Sequence, residues 1–152
     1  MEIKKIFGLF LILILMCGCT KQYTCTKEAV SDDFEYSIEM KLKFGNKKIK
    51  NVNSIVSYRL TEEGYKKIDT LKETLQSKND NYSLNKMIDF NFKIDNKLIS
   101  VYEDIDFSES SKDEMETLLT YNDLSTIYFN SKYKYKDVIE ELKNNNFTCE
   151  LE

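Results

Sequence analysis

The sequence predicts an α+β domain: an antiparallel sheet built from two β-hairpins, with helices packed on one face. Three observations lead there. From Phe34 to Phe44 every second residue is apolar (Phe34, Tyr36, Ile38, Met40, Leu42, Phe44), and the residues between are polar or charged. That period of two belongs to a half-buried strand. The same period returns at Ile88, Phe90, Phe92 and Ile94, and again at Ile99, Val101, Ile105 and Phe107, on either side of Asp95-Asn96. Between and after these hairpins lie stripes with helical spacing: Tyr65, Ile68, Leu71 and Leu75, then Tyr135, Val138, Ile139 and Leu142. One-sided strands and one-sided helices bury their apolar faces by stacking on each other.

The elements follow in order. A first short strand is expected around Tyr23-Thr24-Cys25-Thr26. After Phe44, Gly45-Asn46 is expected to supply the positive φ of a tight turn, and a returning strand carries Val52, Val56, Tyr58 and Leu60. Thr61 followed by Glu62 and Glu63 reads as a helix start, a capping hydroxyl with acids at the positive end of the dipole. That helix is expected to fray into a loop at Ser77-Lys78-Asn79-Asp80-Asn81. In the second hairpin Glu103 breaks the alternation, as an edge strand or a bulge would. Ser111-Lys112-Asp113-Glu114 is a capping box for a short helix with Met115, Leu118 and Leu119. A loop with Leu124, Ile127 and Phe129 leads to the last helix, where Lys134 stands at the position of a capping Ser or Thr. Asn144-Asn145-Asn146 ends it, and Phe147 to Glu150 add a closing strand.

Composition narrows the function. The 152 residues hold one core, not two. With no histidine, no Ser-His or Cys-His catalytic pair and no His metal site can form. Four glycines in no GxGxxG or GxxxxGK[ST] arrangement leave no phosphate loop. A net charge of −4 gives no general attraction for phosphate backbones, so nucleic acid is not expected as a partner.

The N-terminus has the three parts of an export signal: Lys4 and Lys5, the apolar run Ile6 to Met16, then Met16-Cys17-Gly18-Cys19 before the chain turns polar. The rival reading is a retained membrane anchor, for which the run is short against the roughly 20 apolar residues of a span. The ending resembles the lipobox of bacterial lipoproteins, with Gly18 before the cysteine; Met16 and Cys17 are unusual fillers. That resemblance implies a signal peptide over 1–18, lipidation of Cys19, a tether over 19–22 and one extracytoplasmic domain over 23–152. It implies a diacylglyceryl anchor in the cell membrane, since two acyl chains hold stably where one binds marginally. Cys25 and Cys149 then remain. An even pair in an exported chain reads as a disulfide, and closing so long a loop is worth roughly 4–5 kcal/mol at most in the chain-entropy model. The alternative is two reduced thiols on terminal strands.

The whole layout resembles the YehR-like small lipoproteins of bacteria. The features that carry the likeness are the lipobox cysteine, Thr24-Cys25-Thr26 near the start, the two hairpins around one helix, the final Val138-Ile139-Glu140-Glu141-Leu142-Lys143 helix, and Thr148-Cys149 at the end. The resemblance implies an α+β lipoprotein domain and carries over no catalytic residue.

The remaining candidate sites each have a plainer explanation. The acids Glu103, Asp104, Asp106, Glu109, Asp113, Glu114 and Glu116 could attract a divalent cation or supply a carboxylate pair for hydrolysis. No EF-hand pattern or glycine turn organises them, and a solvated acidic surface is expected. Ten Tyr and nine Phe are many for this length; Phe34, Tyr36, Phe44, Phe90 and Phe92 are expected to share the inward face as core, or to line a hydrophobic ligand site between sheet and helices. Tyr133-Lys134-Tyr135-Lys136 alternates rings with cations, as a membrane-facing or partner-facing surface does. The expectation from sequence is a lipid-anchored envelope lipoprotein without enzymatic activity, cofactor or metal, binding an envelope protein partner or, alternatively, a small hydrophobic ligand.

Overall fold

A computed structural model of the chain describes residues 20–108, 124, 127–128 and 131–152. Cys19 and the capping box at Ser111 with its short helix lie outside the described residues, as do Glu109, Asp113, Glu114, Glu116 and Phe129.

Six strands form one antiparallel sheet: β1 (Lys21–Val30), β2 (Phe34–Gly45), β3 (Lys48–Leu60), β4 (Ile88–Asp95), β5 (Leu98–Asp106) and β6 (Thr148–Leu151), in the order β4-β5-β3-β2-β1-β6. The helices are α1 (Glu62–Tyr65), α2 (Ile68–Tyr82) and α3 (Tyr135–Asn144). The α+β class therefore holds. β1 is longer than its sequence signal and pairs with β2 along its whole length, so the first hairpin is extended into a three-stranded meander.

One face of the sheet is apolar and one is polar, as the alternation requires. The register sets inward residues in rows across the strands. One row runs Phe90, Glu103, Ser54, Met40, Cys25 and Cys149, from one edge to the other. Below it, toward the β2–β3 turn, Ile88, Ile105, Val52 and Leu42 are buried. Above it, Phe92, Ile38 and Val56 are only partly buried. The lower half is sealed: Phe107 stacks edge-on against Tyr128 at 5.6 Å, Phe44 meets Tyr135 at 6.1 Å, and α3 buries Val138, Ile139 and Leu142. Each such aliphatic side chain removed from water contributes about 1.5–3 kcal/mol.

Cys25 and Cys149 face each other across β1 and β6 and are joined by a disulfide, with Cα atoms 4.0 Å apart. It closes a sequence separation of 124 residues. Lys134 caps α3 with extended backbone and no side-chain hydrogen bond.

Four local expectations are corrected. The β2–β3 turn takes its positive φ at Asn46 (52°) and Lys47 (64°), one residue later than Gly45-Asn46. The helix after Thr61 is broken between Tyr65 and Ile68 instead of running on. α2 does not fray at Ser77: it continues to Tyr82, whose ring is buried against Phe90 at 5.5 Å. Tyr82 extends the stripe Ile68, Leu71, Leu75 by two more turns, so burial at the far end holds the polar run Ser77 to Asn81 in the helix. Finally, Glu103 marks neither an edge nor a bulge. β5 lies inside the sheet between β3 and β4, and the register shift of the sheet falls at Lys43/Phe44.

α1 is seated closely on the β1–β2 turn. The Thr61 hydroxyl accepts the Gly64 N–H at 3.2 Å and itself donates to the Asp32 carbonyl at 2.8 Å, drawing α1 onto the β1–β2 turn. A Cβ on Gly64 would stand 1.9 Å from the Asp33 carbonyl oxygen, with backbone as the obstacle. Gly64→Ala is therefore expected to destabilise the fold by about 2–3 kcal/mol, despite the better helix propensity of alanine. Urea unfolding of the two proteins measures it; an unchanged midpoint would refute the contact.

Candidate functional site

The partly covered upper half of the apolar face forms a groove of about 320 Å³. Its floor is Ile38, Val56 and Val101 on β2, β3 and β5. Phe34, Tyr36 and Tyr58 close its upper end as a mutually contacting trio, with ring centroids 5.4–6.2 Å apart. Leu75 and Lys78 of α2 form one wall, and Phe147, just past α3, stands opposite. The strand period places the floor, and the helical period of α2 aims its wall at it.

Two lysines and one glutamate enter this apolar space. Glu103, which interrupts the β5 pattern, points inward and is 7% exposed. Lys78 Nζ lies 2.9 Å from its Oε1 and 5.4 Å from the ring centroids of Tyr82 and Phe90. A carboxylate in such a setting requires a cation, and the aromatic faces favour one. Lys27 is the inward residue of β1 opposite Ile38, with its ammonium 5.4 Å from the Phe147 ring centroid. Among the described residues no carboxylate stands within ion-pair distance of Lys27. Among the described residues the groove thus holds two ammonium groups against one carboxylate.

Beneath Glu103 lies the buried Tyr128, whose hydroxyl donates to Met40 Sδ at 3.7 Å. Burial pushes its phenol well above the ordinary tyrosine range, and the nearby Glu103 charge adds to that. Burial also pushes Tyr133 up to about 12. At the end of β5 the Ser108 hydroxyl, and after it the Ser108 N–H at 2.8 Å, hydrogen-bond to the Asp106 carboxylate and hold its pKa below the usual range.

The acids weighed as a cation or carboxylate-pair site are not brought together among the described residues. Glu103 faces inward, whereas Asp104 and Asp106 alternate with it on the exposed face. Among the described residues no group of three or more His, Cys, Asp or Glu is placed to hold a metal ion. No helix among them is long and apolar enough to cross a membrane. The five expected inward aromatics do share the inner face: Phe44 and Phe90 are buried core, Phe92 packs partly buried against it, and Phe34 and Tyr36 line the groove. Lys27 and Lys78 escaped the sequence reading. The signal for Lys27 was present, since it keeps the parity of Cys25 and Tyr23.

An open six-stranded antiparallel sheet with a few helices is a fold with solved counterparts. The chain is similar to the E. coli YehR protein, solved by NMR, with a TM-score of 0.62 at 14% identity, over 88% of this chain and 93% of that one. It is also similar to a protein from Streptococcus pneumoniae TIGR4, solved by NMR, with a TM-score of 0.60 at 11% identity over 88% and 87%. The fold is YehR-like. No family model and no curated protein matches the chain.

Two outcomes follow from this geometry. Lys78→Met, which leaves Glu103 buried without its cation, is expected to cost about 2–4 kcal/mol; the double variant Lys78→Met/Glu103→Leu should recover most of that loss. A double-mutant cycle in urea measures it, and additive single effects would refute a coupled pair. The two buried phenols set a second expectation. A phenol whose pKa is raised by folding stabilises the fold fully below its ordinary value of 10.0, and that contribution is lost as pH climbs through about 12 for Tyr133. Tyrosinate absorbance should therefore rise in two stages, with Tyr128 and Tyr133 ionising last and together with unfolding. A single unperturbed stage would count against their burial.

Proposed function

We propose that the chain is a lipid-anchored, non-enzymatic lipoprotein of the cell envelope that acts by binding, and that the groove takes a small apolar ligand carrying an anionic group. The single observation behind this reading is the pairing of an open aromatic and aliphatic groove with the Lys27 ammonium, which has no carboxylate partner among the described residues. An apolar pocket with a few convergent polar groups is the common form of a small-molecule site. The excess positive charge selects for an acid over a base. The anchor rests on the sequence: the export signal, the lipobox-like Met16-Cys17-Gly18-Cys19, and Cys19 as the lipidated residue. The Cys25–Cys149 disulfide fits an oxidising, extracytoplasmic location at the cell membrane. An envelope protein that presents an apolar side chain beside a carboxylate would use the same groove.

Anilinonaphthalene sulfonate, an apolar body with one sulfonate, is a suitable probe. Saturable binding to the native protein is expected. It should weaken roughly tenfold in Lys27→Met, the equivalent of one charge-assisted contact, and disappear in Val56→Trp, which fills the floor. Absence of saturable binding, or binding that both variants leave unchanged, would overturn the groove reading.

A further inference from the structure

We infer that the β2–β3 turn, the 132–136 segment and the start of β1 form a basic tip that rests on the anionic headgroups of the membrane to which the chain is attached. This rests on the membrane-attached reading above and adds a defined orientation to it.

Two stretches without a single acid are joined there. Lys43, Lys47, Lys48 and Lys50 lie in the first; Lys132, Lys134 and Lys136 lie in the second. An isolated bridge pairs Lys48 with Lys134, fixed by Ile49 N–H to the Tyr133 carbonyl at 2.8 Å and Tyr135 N–H to the Lys47 carbonyl at 3.0 Å. Lys21 joins them: it is opposite Phe44 in the ladder, with its ammonium 4.7 Å from the Tyr135 ring centroid. All of these lysines except the half-buried Lys21 are exposed. The nearby carboxylates are few. Among the described residues Asp137 lines the tip, Glu140 shares a shallow pocket with Lys21 and Lys136, Asp106 lies near Lys50, and Glu152 is bonded to Gln22 and Thr24.

The opposite end of the sheet is built differently. There Lys66 pairs with Glu63 at 2.6 Å, Lys67 with Asp33 at 2.7 Å, and Lys97 with Glu62. Those three cations are internally compensated. Among the described residues none of the tip lysines lies within ion-pair distance of a carboxylate. Among the described residues, a chain with a net charge of −4 thus concentrates positive charge without ion-pair partners at one end.

The chain path selects the partner. β1 begins at Lys21, inside this tip. Covalent geometry lets the two steps from Cys19 to Lys21 span at most about 7 Å. The tip is then held within roughly one Debye length of the anchoring surface, where exposed lysines still feel anionic lipid. Retention of the apolar run ending at Met16 would lengthen the link by only a few residues.

The test uses the full chain, taken from membranes and reconstituted into vesicles of phosphatidylcholine alone or mixed with phosphatidylglycerol. Lysines are reductively methylated under limiting reagent and quantified by peptide mass spectrometry. Labelling of Lys47, Lys48, Lys134 and Lys136 is expected to fall roughly threefold or more in the anionic vesicles, with Lys66 and Lys67 unchanged. High salt should abolish the difference. In Lys47→Glu/Lys134→Glu, exposed substitutions that leave the core untouched, the protection of Lys48 and Lys136 should also vanish. Equal labelling in both vesicles, or protection that ignores lipid charge and salt, would overturn the inference. The intact mass of the same sample separates the two claims. Tip protection on a chain retaining Met1 refutes the lipoprotein reading alone; a lipidated Cys19 without protection refutes the tip alone.

Discussion

The rest of the structure depends on the tie between the two ends of the chain. β6 has only four residues, and most of its surface faces solvent. Joined to β1 through Cys25 and Cys149, it becomes the sixth strand of the sheet and fixes the point from which α3 must reach back. α3 is the lid of the lower core, with Val138 and Leu142 fully buried. Without the tie, a short edge strand and a ten-residue helix would have to hold their places by packing alone. Because the closed loop spans nearly the whole domain, the constraint acts mainly by limiting the unfolded chain.

That arrangement leaves the apolar face unevenly covered. α3 and the tyrosines at 128, 133 and 135 seal the half near the β2–β3 turn. Over the other half, α2 lies along β4 and leaves β2 and β3 floor residues partly open. Where the two halves meet, the central row of the sheet turns polar, with Ser54 and Glu103 side by side on β3 and β5. The ion pair of Glu103 with Lys78 locks α2 to the sheet at that boundary. Such a pair adds little net stability compared with an apolar replacement, but it fixes one position of the helix over the strands.

Much of this was legible in the sequence. The perfect alternation of Phe34 to Phe44 placed β2, and the Val138, Ile139, Leu142 stripe placed α3, because those patterns are local and unmixed. Other features depended on distant partners. Glu103 looked like a fault in a strand since nothing near it in sequence reveals Lys78 on α2. The polar run Ser77 to Asn81 read as a loop since the residue that holds it helical, Tyr82, comes after it and packs on Phe90. Gly64 carried no sign of its contact with Asp33. The groove draws its floor from β2, β3 and β5 and its walls from α2 and the end of α3, so only the fold could assemble it.

The direction of β1 has a consequence for supply. For a chain held at Cys19, the strand leaves the bilayer at Lys21, and Lys27 stands six residues further out. At about 3.3 Å per residue, that lifts the groove roughly 20 Å above the tip. For a chain held in that way, the hydrocarbon tails of the membrane would not reach it from below. On the proposed reading, an acid that fills the groove would arrive through the aqueous space or be handed over by a neighbour of similar height, which would make the domain a standing receiver spaced off its membrane.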